Sequence, residues 1–450
     1  MDPTTGLPVP SDIPLPLPID RVALEGLLVL LFLAHILFVN LMVGGSLLTM
    51  ACEILGLRKR DYDTLAREIA KTITVNKSLA VVIGVAPLLA VNVLYTAHFY
   101  SANALTGNAW IMIVPLVSAA FLIAYAHKYS WDQLASSKGL HLTLGATATV
   151  LFLLIPLIFL ANINLMLFPE RWTDVRGFLS TVVLPNVLPR YGHFLCASIA
   201  VTALALLLYF TRAGYPVEEK FETLDRAGLR RGFYKVAFGA TLVQFFVGPL
   251  LLFTLPSRGL SWFMIGVISF GVLLAVTAMI LLWWEIVAAG PRVGRFYVPI
   301  TGLIMCTAFS MGYGRHLYRE GAIGQHRSLM ARRTADFEVA AAAARLRAAA
   351  GITRGGDELP PGEAMFRSLC AGCHAVDKTL VGPSLTEIAE IYAGDPAGLI
   401  KWVRAPGRKR QGMPPMPAFR LSESKLQPLA AYVLTAGSGT TAEATTQPAG

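Results

Sequence analysis

Five consecutive residues, Cys370-Ala371-Gly372-Cys373-His374, carry the most specific chemistry in this chain. Two thiols one helical turn apart reach two vinyl-derived carbons of one porphyrin, and the imidazole of the next residue then lies under the iron. That is the spacing of a covalent c-type haem attachment site. Cys370 and Cys373 are the expected thioether carriers and His374 the expected proximal ligand. A zinc knuckle would need a second Cys pair, which the chain lacks, and a redox dithiol has no use for the histidine. Cys52, Cys196 and Cys306 each sit inside an apolar run, where a buried, inert thiol is expected and no disulfide framework is implied.

The residues that must position this site follow a recognisable order. A helix from Glu363 to Leu369 leads into it; Gly382-Pro383-Ser384-Leu385 follows; then come Gly412-Met413-Pro414-Pro415-Met416-Pro417-Ala418-Phe419 and a closing helix from Glu423 to Leu434. This order resembles the small single-haem cytochromes c. The resemblance implies a methionine as second axial ligand, Met416 by the Met-Pro-x-Phe form, with Met413 as the alternative. A thioether opposite imidazole raises the haem potential. If both methionines only pack, the haem is five-coordinate. Arg404, Arg408, Lys409 and Arg410 precede the methionines and form either a basic rim that steers an acidic redox partner or a solvated loop.

Everything before this domain reads as membrane. Of 450 residues 55% are hydrophobic and 15% charged, and the mean hydropathy is +0.57, too apolar for an ordinary soluble domain. A hydrocarbon core takes about 20 helical residues, and apolar runs of that order lie near 24–48, 78–98, 109–127, 142–166, 192–211, 236–255, 262–285 and 296–317. The expected fold is all-α: a polytopic membrane bundle of about eight spans carrying a small cytochrome c domain. Residues 1–319 form the membrane domain, 320–360 a linker with an Ala-rich helix and the Gly355-Gly356 turn, 361–436 the cytochrome c domain, and 437–450 a disordered tail. The first twenty residues lack the basic region and cleavage site of a leader, so none is expected to be removed. The net charge of +10 comes from basic loops between spans, a membrane-orienting pattern and not a nucleic-acid site. Sixteen Lys and Arg fall in the loops after spans one, three, five and seven, against four after spans two, four and six. The positive-inside rule then places both termini, and the haem c domain, on the periplasmic side of a bacterial inner membrane.

Ionisable residues inside spans mark sites. On this topology His35, His98, His193 and His316 gather toward the outer leaflet, whereas His127 and His141 lie at inner ends, where snorkelling to the interface is expected. These residues resemble, weakly but in the same order over about 300 residues, the large subunit of cytochrome bd-type oxygen reductases. His35-Ile36-Leu37-Phe38-Val39-Asn40-Leu41 is similar to the segment whose histidine ligates a high-spin haem. Lys138-Gly139-Leu140-His141 leading to Leu160-Ala161-Asn162 is like the fourth helix. His193 and the Met264 of Trp262-Phe263-Met264-Ile265-Gly266 stand where the low-spin haem b takes its ligands, and Gly314-Arg315-His316 echoes a Gly-Arg-Gln. His193 and Met264 also fall within a few positions of the outer ends of their helices, at matched depth, without appeal to the family.

The departures are as informative. No carboxylate lies between Asn108 and Ser130, where the family carries two glutamates, and Gly312 replaces a third. Only Pro256-Ser257-Arg258-Gly259-Leu260-Ser261 joins spans six and seven, in place of the family's long quinol-binding loop. A membrane respiratory electron-transfer protein is therefore expected, with covalent haem c and one or more haems b. Its leading form is a cytochrome c-dependent bd-like terminal oxidase subunit with His35 at the reactive centre and oxygen as candidate acceptor. The alternative is a non-oxidase b/c-type carrier linking a respiratory complex to periplasmic cytochromes. Other respiratory subunits or a periplasmic cytochrome c are the expected partners. A haem-based sensor finds no signalling segment on the inner side.

Overall fold

The computed structural model describes residues 17–73, 77–288, 293–349, 360–407, 415–419 and 421–439. Met413, the basic Arg408 to Arg410, the Gly355-Gly356 turn and the tail from residue 440 lie outside the described residues. In chain order the helices are α1 (Arg21–Gly56), α2 (Arg60–Ile73), α3 (Lys77–Leu94), α4 (Thr96–Thr106), α5 (Asn108–Ile111), α6 (Ile113–Tyr129), α7 (Lys138–Leu165), α8 (Phe178–Val182), α9 (Val187–Thr211), α10 (Val217–Lys220), α11 (Arg226–Phe253), α12 (Trp262–Val287) and α13 (Tyr297–Ala349). They are followed by α14 (Pro361–Leu369), α15 (Leu385–Ile391), α16 (Pro396–Arg404) and α17 (Glu423–Gly437). The described residues hold no strand, only an isolated bridge between His374 and Thr379. The chain divides into two compact units, Met1–Ala335 and Asp336–Gly450.

Long apolar runs become helices because a backbone in hydrocarbon can satisfy its N–H and C=O groups only within its own segment. Among the described residues six helices are long and apolar enough to cross a membrane: α1, the α5–α6 stretch, α7, α9, α11 and α12. The count is seven if α3 and α4 are one broken span. This corrects the expectation of eight in two places. The second run bends by 110° at Tyr95, which leaves helical dihedrals, so His98 sits in α4 beyond the bend and not at the end of a straight span. The eighth run is the first part of α13, a helix of 53 residues whose opening turns carry enough Gly, Ser, Thr and Tyr to be less apolar than the others. The stretch 320–349 continues that helix without a break, and Tyr318, Ala322, Ile323 and His326 are buried with the bundle. The three lone thiols also depart from burial: Cys52 and Cys196 are half-buried and Cys306 is exposed on α13.

Hydrogen bonds identify the two ends of the bundle. At one end Arg258, in the α11–α12 link, donates to the carbonyls of Leu167 and Ala322 and to Glu170. The start of α12, the end of α7 and the later turns of α13 therefore meet there, and Asn186, at the start of α9, joins them by donating to Leu251 O at the end of α11. At the other end Arg230 and Arg231, at the start of α11, donate to the carbonyls of Val293 and Ala288, and Glu68 of the amphipathic α2 accepts from Tyr215 and Lys220. Trp262 is 88% exposed while Met264, two residues on, is fully buried. The start of α12 thus shows one face to the surroundings, with an interfacial aromatic, and the other to the core.

In the second unit α14 and α17 cross closely. A Cβ on Gly362 would lie 2.0 Å from the carbonyl oxygen of Pro428, so only glycine permits the approach. Phe366 and Tyr432 pack ring to ring beside the crossing, with centroids 5.5 Å apart. A core of Phe366, Leu385, Leu399, Val403, Leu426 and Leu429 fills the space between the four helices.

Candidate functional site

The residues expected to bind haem in the second unit sit on a turn shaped by backbone bonds. The N–H groups of Cys370 and Ala371 both donate to Phe366 O, closing α14, and those of Cys373 and His374 both donate to Cys370 O. The turn leaves both thiols free and unbridged, Cys370 half-buried and Cys373 exposed. Burial, with the neighbouring Cys373, pushes the Cys370 thiol up. His374 Nδ1 donates to Pro383 O at 2.8 Å, which fixes the tautomer and leaves the Nε2 lone pair for a metal. A Cβ on Gly382 would stand 2.3 Å from His374 Cε1, so this glycine lets the backbone lie against the imidazole. Met416 is half-buried and packs against the same core as Cys370 and Ala371. Two free thiols, an imidazole with one nitrogen spoken for and a nearby thioether fit a covalently held haem. Arg404, expected as part of a basic rim, is ion-paired with Glu423.

In the first unit, His35 Nδ1 donates to Ala80 O at 2.9 Å, again leaving Nε2 for a ligand. Gly84 clears the ring: a Cβ there would lie 2.6 Å from His35 Cε1. The ring of His193 makes no hydrogen bond among the described residues, while its carbonyl accepts from Gln244 at 3.4 Å. Met264 packs, fully buried, in one cluster with Tyr318, Leu165 and Phe168. Arg190, three residues before His193 and so on the same face of α9, acts electrostatically on Tyr318 and on Arg315 and Arg319 of α13. The α9 and α12 segments bearing His193 and Met264 therefore converge on the same turns of α13. Arg319 donates to His316 Nδ1 at 3.1 Å and Arg315 lies over the Phe32 ring. Arg190 and Arg315 have no hydrogen-bond acceptor among the described residues. Half-buried guanidiniums without an acceptor among the described residues, beside an unpartnered imidazole, fit the acidic side chains of a haem.

Three features were not legible in the sequence. His127 and His141 do not snorkel; they are 5% and fully buried, and each contacts Glu53 of α1. His98 is buried against His326, Nε2 to Nδ1 3.0 Å, with Trp172 edge-on to both rings. The third is a charged network in which Glu320 receives Tyr95, Arg21 and Arg327. An ionisable residue inside an apolar run was a signal for Glu53, since such residues are costly without partners. Its partners come from two other helices.

Membrane-crossing helices joined to a haem-attachment domain define a membrane electron-transfer haemoprotein. Residues 357–433 match the family described as "Cytochrome C oxidase, cbb3-type, subunit III". The chain is 40% identical over 79 residues to cytochrome c-551 of Azotobacter vinelandii, which covers 16% of this chain and 95% of that protein. It is 31% identical over 78 residues to cytochrome c-551 of Pseudomonas denitrificans, covering 16% and 95%. Through this domain the chain belongs to the cytochrome c family. The helical remainder has the fold of "The structure of bd oxidase from Geobacillus thermodenitrificans", with a TM-score of 0.56 and 13% identity over 73% of this chain and 97% of that one.

Proposed function

We propose that this chain is a cytochrome c-dependent respiratory subunit of the bd-like fold, taking electrons from c-type donors and passing them through the membrane domain to oxygen. Cys370, Cys373, His374 and Met416 would hold a covalent haem that supplies one-electron exchange there; His193 and Met264 would hold a haem b, and His35 a further centre, that supply it in the membrane. The carbonyls of Pro383 and Ala80 hold the imidazoles of His374 and His35 in the tautomer that presents Nε2. Arg190 and Arg315 would neutralise the propionates.

One observation carries the donor assignment: the α11–α12 link, which has no length to spare, is also pinned. Tyr318 donates to Pro256 O at 3.0 Å, Arg258 is tied to three partners, and a Cβ at Gly259 would lie 2.5 Å from the Tyr318 ring. A six-residue turn held this tightly builds no quinol pocket, while the same chain carries its own haem c domain. The loop charges support placing that domain on the periplasmic side of a bacterial inner membrane, in reach of other respiratory subunits or a soluble cytochrome c. A non-oxidase b/c-type carrier is the second reading, favoured by the lack of any carboxylate from Ala109 to Tyr129. Reduced-minus-oxidised spectra of the purified protein, with and without carbon monoxide, and oxygen uptake with reduced cytochrome c decide between them. A gas-binding haem and oxygen uptake support the oxidase; haem c and haem b without either support the carrier.

A further inference from the structure

Glu53, His127 and His141 come from the end of α1, the end of α6 and the start of α7, and meet at the bundle end that carries the α2 and α10 loops. Glu53 Oε1 lies 2.5 Å from His141 Nδ1, and Oε2 lies 2.8 Å from His127 Nε2. His141 Nε2 lies 2.9 Å from the carbonyl oxygen of His127. That carbonyl can only accept, so Nε2 carries a hydrogen. The other ring nitrogen then faces a carboxylate oxygen, and two lone pairs cannot stay at 2.5 Å in a buried site. A cation must lie between them.

The distances discriminate between a proton and a metal ion. Ligands bound to one ion at about 2.0–2.1 Å and at angles of 90–110° stand about 2.8–3.4 Å apart. The 2.5 Å contact between Glu53 and His141 is shorter than that and suits a hydrogen bond of a charged pair. The second cation is already in place: Lys138 Nζ lies 2.9 Å from Glu53 Oε1 and 2.5 Å from Asp63 Oδ1. Lys138 and Asp63 cancel, Glu53 is negative, and one proton shared with His141 brings the set to zero, the charge that burial favours.

Among the described residues the cluster reaches water by one polar side. Trp131 covers both imidazoles, with ring centroids 5.2 and 4.5 Å away, and its Nε1 donates to Asp63. Lys138 and Asp63 remain partly exposed, at 25% and 32%, with the Arg67–Asp132 pair outside them. Inward, Thr49 and Ser46 continue a buried polar face of α1, four and seven residues before Glu53 and so on the same side of the helix. Eighteen residues, about 27 Å of helix, separate Glu53 from His35.

We infer that the Glu53–His141 pair is a buried proton-binding site, filled from water through Asp63 and Lys138, that supplies protons along α1 toward the centre at His35. One proton leaves the pair for the reducing centre and one from the aqueous phase replaces it, while the electron comes from the c-type donor. This destination rests on the proposed function; the proton-binding site itself does not.

Two measurements on the full chain in lipid vesicles separate them. The first needs no turnover. At pH 8, histidine-selective 15N NMR and infrared spectroscopy should show either one doubly protonated imidazole or one protonated carboxyl. Glu53→Gln should remove it, because the amide N–H satisfies Nδ1 of a neutral ring. Neither signal in the wild type, or one metal ion per chain that is lost in His141→Gln, overturns the site. The second follows proton uptake with a pH dye as reduced cytochrome c drives oxygen consumption. Glu53→Gln should slow uptake at least tenfold, and Asp63→Asn, a change at the partly exposed mouth, severalfold, with reduction of haem c by a small donor unchanged in both. Uptake at the wild-type rate in Glu53→Gln overturns the route. A wild type without oxygen consumption overturns the destination, and the first measurement still decides the site.

Discussion

Met264 separates ligation from packing. It is 0% exposed in the cluster with Tyr318 and Leu165, so Met264→Ala opens a cavity and should destabilise the membrane unit by about 2–5 kcal/mol. Met264→Leu nearly conserves volume and should cost less than about 1.5 kcal/mol. Both remove the thioether. If Met264 ligates a haem b, the two variants share one spectral change, from low-spin to high-spin, with a lower haem potential, and differ only in stability. Optical and electron paramagnetic resonance spectra, set beside thermal unfolding in detergent, read both quantities. Haem c should remain reducible by a small-molecule donor in each, while electron transfer onward from it slows. A low-spin b signal that survives Met264→Leu intact refutes the ligand role and leaves Met264 as a packing residue. An undiminished quinol oxidation after loss of both haem c cysteines refutes the donor assignment.

Cys373→Ala should abolish covalent haem, since one thioether does not hold the porphyrin through denaturation; haem staining on a denaturing gel checks this, and a stained band of wild-type intensity contradicts it. An alkaline phosphatase fusion after Ala350 should be active and one between Gly214 and Gly228 inactive; the reverse pattern breaks the topology. In the loop region of α2, burial pushes the Glu68 carboxyl up, but Lys220, Lys71 and Tyr215 outweigh it and hold it near about 2. A depressed folded-state value contributes stability above the ordinary carboxylate range that is lost as pH falls from about 4.5 toward 2. Hydrogen exchange of residues 212–224 should rise across that window in the wild type, and Glu68→Gln should raise it already at pH 7.

The cytochrome c domain was legible because its determinants are local. The cysteines, histidine and Gly-Pro turn lie within sixteen residues, and the bonds from Cys373 to Gly382 and from His374 to Pro383 close within that stretch. The apolar spans were legible for a similar reason: a helix in hydrocarbon satisfies its own backbone, so composition over about 20 residues determines it. Sidedness of side chains was another matter. Whether His141 reaches water or Glu53 depends on which face of α7 meets α1, and residues 53, 127 and 141 become neighbours only when three helices pack. The bend at Tyr95 and the unbroken run of α13 past residue 320 are likewise tertiary. Tyr95 leaves the helix where its hydroxyl meets Glu320, and α13 continues because Tyr318, Ile323 and His326 find buried partners on other segments. Local pattern determined the elements and the cytochrome c domain; long-range packing alone decided which buried ionisable groups meet, since the cost of an unpaired charge is settled by partners that no window of sequence contains.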